Sequence, residues 1–216
     1  MDLSYLFNVT IALSRGCQVT YTLFFTTLIL SLPLGLLIAL IRISKFNLLS
    51  SAAGVYIWLL RGTPLLLQVF FIYFGLPALG IRFESMPAAI IAFVLNYAAY
   101  FAEIFRSGIQ SIDRGQYESA DVLGLTYTQT MRRVILPQMF KRVLPPISNE
   151  VITLVKDTAL VFGIGLADVL RTAQIAVTRD FRISAFIIAA VFYLLNTLIL
   201  TLAFRKLEKN YSYYQN

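Results

Sequence analysis

The chain contains no histidine and a single cysteine, Cys17, in 216 residues. Without histidine the usual His/Cys zinc centres cannot be assembled, and a lone thiol closes no internal disulfide. No Gly-Lys pair occurs anywhere, so the Gly-x-x-x-x-Gly-Lys-Ser/Thr phosphate loop is absent and ATP chemistry by that route is excluded. Cys17 stands at the edge of an apolar run with no activating base, which leaves no catalytic constellation. Charge is scarce as well. Charged residues make up 13% of the chain and hydrophobic ones 58%, whereas a soluble domain has about a quarter and about half. These deficits exclude a disordered chain, a disulfide-stapled secreted module and a nucleic-acid binder built on a soluble core. With a mean hydropathy of +0.75, they indicate an all-α integral membrane protein that is not itself an enzyme.

What is present is long apolar runs. Residues 19–41, 62–81, 85–102 and 183–204 are uncharged throughout, and each is near the roughly 20 residues that cross a bilayer. A further run, 143–167, is apolar but carries Glu150, Lys156 and Asp157. A helix hydrophobic all round with isolated charges suits the inside of a bundle. Five spans are expected, at about 19–41, 55–79, 85–105, 143–167 and 183–204, in one domain without internal repeats. The first 18 residues lack the basic start of a cleavable signal.

The positive charges set a direction. Arg42, Lys45, Arg61, the basic residues of 106–142 and the tail residues Arg205, Lys206 and Lys209 fall on one side. Only Arg15, Arg82, Arg171, Arg179 and Arg182 fall on the other. The positive-inside rule then puts the 106–142 loop and the C-terminus in the cytoplasm and the N-terminus outside. Pro64 and Pro77 around the second run, and Gly163 and Gly165 at the end of the fourth, fit either helix ends or the irregular backbone of a cavity wall. Beyond these glycines, 166–177 is expected to be a short amphipathic segment at the outer face.

The 106–142 loop is the only long hydrophilic stretch. Residues 116–123 favour a helix with Gly124 as the residue after its C-cap. Thr126 or Thr128 is placed to cap a second short helix, which Pro137 should end. This elbow resembles the EAA loop of ABC importer permeases: Glu118-Ser119-Ala120, Gly124 three residues after Asp121, then Val134-Ile135-Leu136-Pro137. It departs from that pattern only in Ser119 for the first alanine.

Further stretches resemble the polar amino acid branch of that family. They are Arg61-Gly62-Thr63-Pro64-Leu65-Leu66-Leu67-Gln68, Phe70-Phe71-Ile72-Tyr73-Phe74-Gly75, Ala99-Tyr100-Phe101-Ala102-Glu103-Ile104-Phe105-Arg106, Asn149-Glu150 and Lys156-Asp157-Thr158-Ala159-Leu160. The resemblance spans roughly residues 15–205. It implies the transmembrane domain of a type I ABC importer in a bacterial inner membrane, working as a homodimer or heterodimer of permeases. The elbow, with Glu118, Ser119, Ala120, Gly124, Leu136 and Pro137, would couple to a cytoplasmic ABC ATPase. That partner would hold ATP and magnesium, so no cofactor is expected in this chain. An amino acid-binding protein would dock on the outer face, and the lipid bilayer would surround the rest; no nucleic acid is implied.

Glu150, Thr153 and Asp157 are spaced i, i+3, i+7, which places them on one helix face. Charges at mid-bilayer cost about 2.5–3.5 kcal/mol each on insertion scales, so such groups face a cavity or an opposite charge. They either receive cationic groups of a substrate or lock the bundle through Lys156 or an arginine. Lys156 lies about 100° round the helix from Asp157 and need not pair with it. Gln68, and Asn96 with Tyr100, can face the same path. Glu103 and Arg106, three residues apart, are expected to form a supporting ion pair. Phe70, Phe71, Tyr73 and Phe74 fit lipid or core contacts better than a cation–π cage. The acidic stripe favours a basic amino acid such as arginine, lysine or histidine. Two other function classes compete: an ion-coupled secondary transporter, which normally shows more spans or internal repeats, and a scaffold without transport.

Overall fold

The computed structural model describes residues 3–212. Among the described residues all regular structure is helical. The first helix, α1 (Leu3–Arg42), is 40 residues long and reaches well beyond the expected 19–41. At about 1.5 Å per residue it exceeds the thickness of a bilayer. The extra N-terminal length is held by packing. Val9 and Leu13 are buried against Val169, Ala173, Ala176, Ala185 and Ala189, on the helices α8 (Val169–Asp180) and α9 (Ser184–Ser212).

The rest of α1 packs along α4 (Ser85–Gln110). Ala88, Ala89, Ala92, Ala98, Ala99 and Ala102 of α4 are buried. Gly35 lies so close that an added Cβ would meet Phe101 Cβ at 2.7 Å and the Ala98 carbonyl at 3.0 Å. Apolar attraction adds little inside a bilayer, so close backbone approach between small residues is the main source of helix adhesion.

The second apolar run is not one straight span as expected for 55–79. It divides into α2 (Asn47–Gly62) and α3 (Leu65–Phe70), the latter continued by a π turn (Phe71–Gly75) and a 3-10 turn (Leu76–Leu79). The two arms meet at 104°. Thr63 and Pro64 are both extended, with ψ of 146° and 134°. The proline ring disfavours the helical region for the residue before it.

Pro137 does not end a helix either. Residues 127–164 are helical without interruption, from α6 (Tyr127–Thr130) through a π turn (Met131–Ile135) into α7 (Leu136–Asp157) and a 3-10 segment (Thr158–Ile164). Pro137 stands in the first turn of α7, directly after the π turn, where Leu136 N–H reaches back to Met131 O. The wider turn accommodates both the ring and the missing donor. The expected run at 143–167 is thus the upper part of a longer element. It stops at Gly165, with φ +81°, and meets α8 at 55°.

By length and composition α1, α4 and α9 can each cross a membrane, and the two bent pairs raise the number to five if each is one span. Most of α9 is exposed and apolar, including Leu194, Leu198, Ile199 and Leu202, as expected of a lipid-facing helix. Replacing Gly35 with valine drives a branched side chain into Phe101 and the α4 backbone. The expected loss is about 1–3 kcal/mol or more, read as a lowered melting temperature in detergent. An unchanged melting temperature would contradict the α1–α4 packing described here.

Candidate functional site

Inside a helix the Leu60 carbonyl takes its hydrogen from residue 64, and that residue is proline. Side chains replace the missing donor. Gln68 Nε2 donates to Leu60 O at 2.9 Å, and Asn96 Nδ2 donates to the same oxygen at 3.0 Å. Gln68 Nε2 also reaches Thr63 O and Thr63 Oγ1 at 3.2 and 2.7 Å. The Thr63 hydroxyl donates to Leu59 O at 2.8 Å. The two amides are joined to each other, Asn96 Nδ2 to Gln68 Oε1, at 3.0 Å. Unsatisfied carbonyls away from water cost several kcal/mol each, so this clamp is what permits the break.

The break opens a cavity of about 580 Å³ between the end of α2, α4 and α7. It is lined by Asn96, Tyr100, Glu150, Thr153 and Asp157, which are five of the six residues expected from sequence to meet a substrate, and by Arg61, Thr63, Tyr97 and Leu160. The volume is in the range of small-molecule sites. The sixth, Gln68, lines a neighbouring apolar cavity of about 640 Å³, its amide occupied by the clamp. The acidic stripe on α7 does share one face. Lys156, one residue from Asp157, is exposed outside that cavity, and among the described residues no ion pair joins it to either acid.

Two members of the cavity were not singled out by sequence. Tyr97 is buried, and its Oη donates to Asp157 Oδ2 at 2.8 Å, tying α4 to α7 and fixing that carboxylate. Arg61 was noted for its charge and as the first residue of a family-like stretch, not as a cavity group. Its guanidinium lies 5.3 Å over the ring of Tyr100, within cation–π range, and its charge also acts on Glu150. The signal for Arg61 was its place three residues before the breaking proline. Tyr97 carried no local signal, because its partner is 60 residues away.

The expected Glu103–Arg106 pair is present and bidentate, at 2.9 and 2.5 Å. Phe70 and Tyr73 each pack edge to face on Phe74.

At the far end of the molecule the elbow forms from local chemistry. Helix α5 (Arg114–Val122) is capped by Asp113, which accepts from Gly115 N–H at 2.7 Å. It closes with Leu125 N–H on Ala120 O and Gly124 N–H on Asp121 O, a Schellman arrangement. Gly124 has φ +72°, where a side chain is strained. Thr126 caps α6 in a reciprocal box with Gln129.

Of the elbow residues expected at a partner surface, Glu118, Ser119, Gly124 and Pro137 are exposed, and Leu136 is half-buried. Ala120 differs. It is 2% exposed and packs inward, because α5 presents one face to the rest of the chain. The exposed apolar pair Val122 (87%) and Leu123 (77%) was read as part of this helix but not as part of the partner surface.

This geometry has close parallels. The chain is 39% identical to the probable amino-acid ABC transporter permease protein YckA of Bacillus subtilis over 97% of its own length and 96% of that protein's. It is 41% identical to the arginine transport system permease protein ArtQ of the same organism, over 90% of each. A crystal structure of an amino acid ABC transporter with histidines superposes with a TM-score of 0.90 at 36% identity, covering 97% of this chain and 99% of that one. Residues 31–213 match the family described as the binding-protein-dependent transport system inner membrane component. With the broken helix, the polar cavity and the elbow assembled as they are, the chain belongs to that family of binding-protein-dependent inner membrane transport components.

Proposed function

We propose that this chain is the permease subunit of an ATP-driven importer of polar amino acids, and that it favours basic ones. The observation that carries the reading is the cavity at the helix break, where Glu150 and Asp157 stand among apolar helices without a basic partner within salt-bridge distance among the described residues. Two acids on one wall suit a ligand with two cationic groups, the α-ammonium and a guanidinium or ammonium side chain. Thr153 adds a hydroxyl, and Tyr97 holds Asp157 in place. Desolvated acids are costly without a cationic partner, so the site should draw its cation from an aqueous path rather than from lipid.

In this reading five spans cross the membrane, with the elbow and C-terminus in the cytoplasm and the N-terminus outside. A second permease, identical or similar, completes the membrane core, and an amino acid-binding protein delivers substrate from outside. Energy comes from cytoplasmic ATPase subunits, since this chain has no phosphate loop. Glu118, Ser119, Val122 and Leu123 supply the exposed docking face. Closure of the ATPases pushes a short capped helix, and the continuous helix 127–164 carries that displacement to Glu150 and Asp157.

Two measurements on the transporter reconstituted with its ATPase and binding protein test this. Glu150→Gln and Asp157→Asn should each reduce arginine uptake about tenfold or more, the scale of a charge-assisted hydrogen bond, and glutamine uptake by less than about threefold. Equal losses for both would assign the acids to the fold instead. Gly124→Asp should leave insertion and ATPase assembly intact while transport per ATP hydrolysed falls. Unchanged transport by that variant would remove the elbow from the coupling route.

A further inference from the structure

The charges lining the cavity are two acids and one base: Glu150, Asp157 and Arg61. The acids account for the cations of a basic amino acid. Every amino acid also carries an α-carboxylate, which needs donors of its own once it leaves water. Arg61 differs from other arginines of the same helices and their neighbours. Arg106 is engaged by Glu103 and Gln110, Arg42 by Ser50, and Arg142 by Ser111. No described residue accepts a hydrogen bond from the Arg61 guanidinium, which rests over Tyr100 and is exposed.

An exposed arginine at the end of a helix in an apolar bundle must face water, a ligand or another chain. Its backbone is fixed by the break two residues on, which the Gln68–Asn96 clamp holds. A planar fork of N–H donors matches a carboxylate in two parallel bonds. The lining also sums to one negative charge, which complements a ligand of one positive charge such as arginine or lysine.

We infer that Arg61 receives the α-carboxylate of the transported amino acid, with Tyr100 orienting its guanidinium and the α7 acids taking the ammonium groups. The assignment rests on the cavity being the amino acid site, and it is separable from the preference for basic side chains. Arg61 therefore sets the head-group requirement, and Glu150 with Asp157 sets the side-chain class.

The test measures direct binding to the detergent-solubilised permease–ATPase complex without the binding protein, so that its selectivity does not intervene. Ligands are arginine and argininamide, compared near pH 6, where both α-amines are protonated. The wild-type complex should bind arginine about tenfold or more tightly than the amide. Arg61→Gln should bring the ratio to within about twofold, and Arg61→Lys should restore part of it. Equal affinity of the wild type for the two ligands would overturn the assignment without any variant. So would an Arg61→Gln complex that loses affinity for both in equal proportion, since a brace or counter-ion would act that way. Glutamine and glutaminamide carry the same head-group contrast. A complex that prefers glutamine to arginine yet keeps the tenfold acid-to-amide ratio would overturn basic selectivity and uphold the role of Arg61.

Discussion

Leu60 and Pro64 are four residues apart, so the Leu60 oxygen faces a position that has no N–H to give. In water such a carbonyl would bind solvent. In an apolar bundle it must find a donor or the helix cannot break there. The carboxamides of Gln68 and Asn96 both point at it and bind each other. One amide comes from beyond the break and the other from a neighbouring helix, so the clamp also fixes the 104° turn against α4. The position of α2, the direction of α3 and the space between α2 and α7 all follow from this arrangement.

That space brings together three charges from two separate helices. Arg61 arrives from the helix end before the break, Tyr97 and Tyr100 from α4, and Glu150, Thr153 and Asp157 from α7. Each group is presented by a regular helix and not by a loop, which holds a small site to a narrow geometry. Irregular backbone borders the cavity at Thr63–Pro64, and the chain turns again at Gly165. The elbow lies at the opposite end of the α7 element. One continuous stretch of helix from 127 to 164 thus connects the exposed surface of α5 and α6 with the acids of the cavity.

Much of this could be read from sequence because it depends on short-range rules. Helix periodicity alone puts Glu150, Thr153 and Asp157 on one face, and Gly124 and Thr126 declare the ends of α5 and α6 by their own conformational and capping chemistry. Glu103 and Arg106 announce their pair by spacing. The rest depends on partners distant in the chain. Tyr97 meets Asp157 across 60 residues, and Gln68 meets Asn96 across 28. Gln68 reads as a path residue until the orphaned carbonyl beside it is seen. Pro64 and Pro137 look alike as helix breakers, yet one turns the chain and the other is absorbed by a π turn. The difference lies in the turn that precedes each, which residue identity does not reveal. Ala120 turns inward for a similar reason, since which face of α5 is covered is decided by the helices beneath it.

The central claim is that the break and the α7 face enclose a watery cavity that an amino acid occupies. Single cysteines placed in a Cys17→Ser background report this directly, through their reaction with a hydrophilic thiol reagent in the reconstituted transporter. Cysteines at Leu65, Thr153 and Leu160, which line the cavity, should react, and saturating arginine should slow them severalfold. Cysteines at Val151 and Val155, buried and turned away from the acidic face of α7, should stay unreactive in both conditions. Reaction rates at the lining positions that no amino acid alters, or that match those at Val151 and Val155, would contradict the account.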